Sequence, residues 1–166
     1  LWLDHSELTD ISALAGLTNL TFLDIGRNQV SDISVLAGLT ELTHGGLGNN
    51  QITDISALSK LTKLTELDLK SNQISDITPL AGLTDLTYLR IGSNHLDDIS
   101  ALARLTNLTD LDMYGIGVSD ISSVAAMTNL ITLNIESNRV NDISPLAGLT
   151  KLQNIRMANN PVIDIA

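Results

Sequence analysis

The stretch LTNLTFLDIGRNQVSDISVLAG, Leu17 to Gly38, decides the fold, because the rest of the chain repeats it. Its signature, Asp-Ile-Ser or Asp-Ile-Thr, recurs at Asp10, Asp32, Asp54, Asp76, Asp98, Asp120 and Asp142 at a constant interval of 22 residues. Asp164-Ile165-Ala166 closes the series. A fixed short period without insertions means that each unit stacks on the next as one coil of a solenoid. The 166 residues hold about seven and a half such units. They are read as a single domain, 1–166, with both ends inside a repeat.

Each column of the repeat has a physical reading. The column of Leu20 is leucine in all seven copies down to Leu152, and that of Ile33 is isoleucine in all eight from Ile11 to Ile165. The columns of Leu17, Leu23, Ile25, Val30 and Leu36 are almost wholly aliphatic. The alternation Leu23-x-Ile25 predicts a short strand with two side chains turned inward. Ser6, Asn28, Asn50, Asn72, Asn94, Asn138 and Asn160 form a column at the strand's end. An inward Asn there can satisfy turn backbone groups, so an Asn ladder is expected. In the other half of the unit, Ser34, Thr78 and Ser144 stand where an N-cap is wanted. Pro79 and Pro145 follow at the first helical position, and Gly16, Gly38, Gly82 and Gly148 fall where the turn ends. The segment suits a 3₁₀ turn better than an α-helix.

The consensus LxxLxxLxLxxNxIxDIxxLxx resembles a 22-residue leucine-rich repeat. Phrases such as NQISDITPLAGLTDLTYL (Asn72 to Leu89) and NDISPLAGLT (Asn141 to Thr150) are similar to the repeats of bacterial internalins. The resemblance implies an α/β solenoid of right-handed curvature. It would carry a concave parallel β-sheet of about eight short strands and convex 3₁₀ or short helical turns. It also implies a bacterial surface or secreted protein that grips protein partners on the concave face. An N-terminal helical cap and a following immunoglobulin-like domain often accompany such repeats, and neither is visible in these residues. The chain opens without Met inside a repeat and is read as a fragment. Flanking caps, or a chain stacked on an end, are therefore expected.

Composition narrows the partners. The net charge of −10 argues against a nucleic-acid backbone or an anionic membrane. No apolar run approaches the ~18 residues of a membrane span, so no insertion is expected. There is no cysteine, hence no disulfide.

Core columns hold the fold, so binding residues are sought in the strand positions that face outward. The first such column runs Phe22, His44, Glu66, Tyr88, Asp110, Thr132, Asn154. The second runs Trp2, Asp24, Gly46, Asp68, Arg90, Asp112, Asn134, Arg156, and the third Asp4, Gly26, Gly48, Lys70, Gly92, Tyr114, Glu136, Ala158. All four aromatic residues, Trp2, Phe22, Tyr88 and Tyr114, fall in these columns and none in a core column. Aromatics normally favour cores, so their placement on one open face fits a protein-binding surface. Seven acids there stand against three bases, which favours a partner with a basic patch. Arg90, between Asp68 and Asp112 in one column, suggests a three-member ion-pair ladder.

The Asp10-to-Asp164 column recurs beside every turn and reads as a turn or cap former. Calcium would need several oxygens converging on one point, so no metal is expected. No cofactor is expected either. His44 and Glu66 are the best acid–base pair available, and an open sheet seldom excludes water, so an enzyme is not expected. Two alternatives stay open. One is an intracellular regulatory scaffold, since a protein phosphatase regulatory subunit uses similar 22-residue repeats. The other is a structural spacer in a larger surface assembly.

Two coils break the phrase. His44-Gly45-Gly46 puts Gly45 in the first inward column, which predicts a void or a pinched strand. Replacing Gly45 by Leu would then stabilise the domain. Gly46 and Gly48 are expected to form a low floor bordered by Phe22, His44 and Tyr88. In MYGIGVSD, Met113 to Asp120, Ile116 replaces the ladder Asn. A local distortion beside Tyr114 is expected there, with water as a substitute partner.

Overall fold

The structure is a computed structural model that describes residues 1–96 and 98–162. Seven three-residue strands form one parallel sheet in chain order. They are β1 (Phe22–Asp24), β2 (His44–Gly46), β3 (Glu66–Asp68), β4 (Tyr88–Arg90), β5 (Asp110–Asp112), β6 (Thr132–Asn134) and β7 (Asn154–Arg156). Trp2 adds an isolated bridge to Asp24 at the edge, a seventh pairing beside the six between strands. The register never slips: Leu23, Gly45, Leu67, Leu89, Leu111, Leu133 and Ile155 are successive partners. Each strand is preceded across the core by a short 3₁₀ helix, from Ser12–Gly16 before β1 to Ser144–Leu146 before β7. The interior between sheet and helices is one cluster of Leu, Ile, Val and Met with no aromatic member. A sheet covered on one face by its own return turns leaves its other face open, and that face is concave.

The Asp column and not the hydroxyl column caps the helices. In all seven described coils the Asp Oδ1 accepts the backbone N–H two residues on, at 2.7–2.8 Å. Ser34, Thr78 and Ser144 lie inside the helix as its first residue and make no side-chain cap bond. This corrects the expectation for those residues: a carboxylate two residues back reaches the free N–H better than a hydroxyl on the same residue. Pro79 and Pro145 do sit in the first turn. The eighth copy, Asp164, lies outside the described residues.

The glycines that end the turns do not adopt positive φ. That conformation belongs to the residue before each ladder Asn: Arg27, Asn49, Ser71, Ser93, Ser137 and Asn159, with φ of 54–58°. Gly115 takes the same place at φ 60°. The turn after every strand therefore needs one left-handed residue.

The Asn ladder is present and redundant. Asn72 Nδ2 donates to its own coil's Leu69 O at 3.0 Å and to the previous coil's Leu47 O at 3.1 Å. Its Oδ1 accepts Ile52 N–H at 3.0 Å. Asn94 in turn donates to Leu69 O at 3.0 Å, so that carbonyl has two Asn donors.

Two coils lack the Asn, at Ser6 and Ile116, and they solve the loss alike. In each, the next residue turns to positive φ, Glu7 at 57° and Gly117 at 88°. In each, the following Asn takes extra donors. Asn28 Oδ1 accepts Ser6 and Leu8 N–H at 2.9 Å. Asn138 Oδ1 accepts Ile116, Gly117 and Val118 N–H at 2.9–3.3 Å. Leu96 N–H, which a ladder Asn in place of Ile116 would have met, bonds the Ile116 carbonyl instead at 3.3 Å. The repair uses the chain itself. The distortion also falls at Gly117 and not at Tyr114, whose backbone keeps the regular bonds: Ser93 N–H to Tyr114 O at 2.7 Å and Tyr114 N–H to Asp112 Oδ1 at 3.0 Å.

Gly45 leaves no void. A Cβ built on it would lie 3.3 Å from Leu67 Cδ1 and 3.8 Å from Leu64 Cδ2, so neighbouring side chains already occupy the space. A short stacked core closes around a missing side chain more easily than a rigid one.

Candidate functional site

The open face of the sheet carries three structural themes. At its N-terminal end Trp2 stacks on Phe22 with ring centroids 4.3 Å apart, and Phe22 meets the His44 ring at 5.8 Å. Trp2 is 70% exposed. His44 continues the row: Thr43 Oγ1 lies 2.8 Å from its Nδ1, and Glu66 Oε1 lies 3.2 Å from its Nε2. The aromatics thus form a shelf across the strands, tied at its far end to an acid.

In the middle lies a glycine floor. Gly46 and Gly48 are bordered by Asp24, Asp68, Lys70 and Arg90, and not by the aromatics expected from the sequence. The reason is registry: Phe22, His44 and Tyr88 occupy the column two residues earlier on each strand. The carboxylates lean over the floor. A Cβ on Gly46 would lie 2.7 Å from Asp24 Oδ1, and one on Gly48 would lie 2.9 Å from Asp68 Oδ1. The depression is therefore shallow and walled by charge.

The C-terminal half opens into a depression of about 650 Å³ lined by Tyr88, Arg90, Asp110, Asp112 and Arg156 together with Thr132, Asn134 and Asn154. The last three were not singled out from the sequence, although they stand in the outward columns. Their small polar side chains gave no signal there. Arg90 pairs with Asp68, Nη1 to Oδ2 at 3.6 Å, and its guanidinium carbon lies 5.4 Å over the Tyr88 ring. Among the described residues it makes no ion pair with Asp112, so the expected three-member ladder is a pair. Half-burial raises the Tyr88 phenol above its ordinary value. The charges of Asp68 and Asp112 push the same way, and Arg90 opposes. Tyr114, 44% exposed, rides over Gly92: a Cβ there would lie 3.1 Å from the Tyr114 carbonyl oxygen.

The second column also has a structural duty that the sequence reading missed. Asp24, Asp68 and Asp112 each accept the N–H two residues on through Oδ1, at 2.9, 3.0 and 3.0 Å. Asn134 does the same for Glu136 at 3.0 Å. One carboxylate oxygen of each Asp is thus spent on closing the strand end; the second oxygen of Asp68 faces Arg90, and those of Asp24 and Asp112 make no ion pair among the described residues.

Comparison with known proteins places this architecture. Residues 1–38, 46–82 and 128–166 match the family model described as "Leucine Rich repeats (2 copies)". The chain belongs to the leucine-rich repeat family. Within that family its repeats are internalin-like. The crystal structure of an internalin (inlF) from Listeria monocytogenes superposes with a TM-score of 0.89 at 36% identity, over 96% of this chain and 47% of that one. Internalin C2 from the same organism gives 0.84 at 40% identity, over 90% of this chain and 66% of that one. A leucine-rich repeat protein of Leptospira interrogans, 20% identical with a TM-score of 0.79, shares the fold. This chain spans about half the length of the first of these structures and about two thirds of the second. No curated protein matches the chain. No helix among the described residues is long and apolar enough to cross a membrane.

Proposed function

We propose that this leucine-rich repeat domain is a non-enzymatic module that binds a protein partner on its concave face. One observation carries the reading: the core contains no aromatic residue, and all four aromatics stand in the outward columns. Leucine-rich coils accept only aliphatics inside, which accounts for an aromatic-free core. It does not account for the absence of aromatics from the convex turns. Trp, Tyr and Arg are the residues that most often dominate binding energy. Here they are Trp2, Tyr88 and Tyr114, with Phe22 beside Trp2, Arg90 on β4 and Arg156 on β7. His44, Glu66, Asp24, Asp68, Asp110 and Asp112 supply polar contacts, and Gly46 and Gly48 the low floor. The acidic excess of the face favours a partner with a basic patch, with faster encounter at low salt. Similarity to the Listeria internalins supports a secreted or surface-displayed bacterial protein.

The test is a titration. Proteins captured from a cell-surface extract are identified, and the purified partner is measured against Trp2→Ala and Tyr88→Ala. Each substitution weakens affinity at least tenfold, the ~1.4 kcal/mol threshold of a strong contact. The thermal midpoint barely moves, since neither side chain is in the core. Undiminished affinity in both variants refutes the concave-face reading.

A further inference from the structure

We propose that the C-terminal depression of the concave face is a binding site for a neutral saccharide, separate from the aromatic shelf of Trp2 and Phe22, although it shares Tyr88, Arg90, Asp110, Asp112 and Arg156 with the face proposed for protein binding. Its lining carries both signs: Asp110 and Asp112 on β5, Arg156 on β7, and Arg90 on β4, whose charge is already met by Asp68. An anion would leave the two carboxylates without partners, and a cation would leave the Arg156 guanidinium. A wholly apolar anchor would desolvate all four.

The hydrogen-bonding groups that remain are of both kinds. Asp110 has Oδ2 tied to Thr109 Oγ1 at 2.8 Å, which leaves Oδ1 as an acceptor. Asp112 has Oδ1 tied to the Tyr114 N–H at 3.0 Å, which leaves Oδ2. Asn134 uses its oxygen on the Glu136 N–H at 3.0 Å, so its amide N–H₂ is fixed as a donor pair toward a ligand. Two rows result. Asp110, Thr132 and Asn154 are partners across β5–β7, and so are Asp112, Asn134 and Arg156. The rows advance one step per strand, about 4.8 Å.

A ligand that matches this grid carries no net charge and offers many close-set groups, each both donor and acceptor. Hydroxyls meet that description, since each donates once and accepts twice. A chain of sugar rings laid across the strands presents its hydroxyls at intervals of similar size. Tyr88 at the end of the grid adds a phenol hydroxyl, its ring held under Arg90 at 5.4 Å.

The experiment is a screen of neutral and acidic oligosaccharides on a printed array, followed by ¹⁵N NMR titration of the best binder. Neutral saccharides bind, and the amide signals of Thr132, Asn134 and Asn154 shift. Thr132→Val and Asn154→Ala each weaken binding about fivefold, as loss of one hydrogen bond does. Trp2→Ala leaves saccharide affinity unchanged, which separates this site from the shelf. The free oligosaccharide, compared with the same glycan on a peptide, distinguishes a polysaccharide from a glycoprotein as source. The proposal is overturned if no neutral saccharide binds, if only acidic ones do, or if the shifts map to Trp2 and Phe22. Affinity that survives Thr132→Val, an isosteric change on an inner strand, overturns it as well.

Discussion

Asn72→Ala and Asn94→Ala remove the same side chain from the same place in adjacent coils, yet they should not cost the same. Asn72 donates to Leu47 O and Leu69 O, and each of those carbonyls keeps a second Asn donor, Asn50 and Asn94 respectively. Only the Ile52 N–H is orphaned when Asn72 is lost. Asn94 donates to Leu69 O and to Ile91 O. Leu69 O keeps Asn72, but Ile91 O has no other donor among the described residues, because Ile116 stands where its second Asn would be. Loss of Asn94 therefore orphans the Ile74 N–H and the Ile91 carbonyl together. Each buried unsatisfied group costs about 1–3 kcal/mol. The cavity left by the shortened side chain is common to both variants and cancels in the difference. Asn94→Ala should then be less stable than Asn72→Ala by about 1–3 kcal/mol, a large share of the ~5–15 kcal/mol that typically holds a domain together. Urea unfolding followed by circular dichroism, with equal m-values, measures that difference. Two variants within about 0.5 kcal/mol of each other would show that the carbonyls relax to water and that the redundancy has no energetic meaning.

Gly45→Leu, stabilising on the logic of the repeat alone, should lower the urea midpoint. Leu67 and Leu64 already fill the site, and overpacking a closed core costs about 1–3 kcal/mol; a raised midpoint would mean that a void exists after all. Acid should destabilise the domain through the capping column. The Ser12 N–H and hydroxyl hold Asp10 below its ordinary 3.8, and the equivalent serines do so for Asp32, Asp54, Asp98 and Asp142. A carboxyl depressed in the folded state contributes stability above its unfolded value and loses it as pH falls through the folded one. The melting temperature should thus fall progressively below about pH 3.8, and Asp32→Asn together with Asp98→Asn should flatten the fall; an unchanged slope in that double variant removes these carboxylates from the explanation.

Most of the fold was legible in the sequence, because a strict 22-residue period fixes the register of every column at once. Leu23-x-Ile25 gave strand and inward face, and the Asn column gave the ladder. What period alone does not show is which of two adjacent polar columns makes a given bond. Asp10 and Ser12 both lie at the helix start, and only geometry reveals that the carboxylate reaches the N–H. The same limit applies to the site. The sequence placed Arg90 between two acids in one column, but side-chain reach and the Tyr88 ring draw it to Asp68. It placed Gly46 and Gly48 on the open face, but not the carboxylates that lean over them. Thr132, Asn134 and Asn154 were invisible as a site because none of them is distinctive alone; their meaning lies in the three-strand register that sets them side by side.

The concave carboxylates also constrain how any binding reading can be tested. Asp24, Asp68 and Asp112 each hold a strand end through Oδ1. An Asp→Ala change removes a charge and a backbone bond together, so lost binding could reflect a loosened turn. The chain itself supplies the control. Asn134 occupies the same column and makes the same bond at 3.0 Å with a neutral amide. Asp68→Asn and Asp112→Asn should therefore keep the turn, and with it the stability, while deleting the charge. If the acidic face recruits a basic partner, these two changes slow association and flatten its salt dependence, with little effect on dissociation. If the carboxylates are there only to close the strands, association is untouched. A charge that serves the turn alone could have been Asn in every coil, as it is in β6. In β3 the charge also pairs with Arg90, whereas Asp in β1 and β5 is the part of the pattern that the fold does not explain.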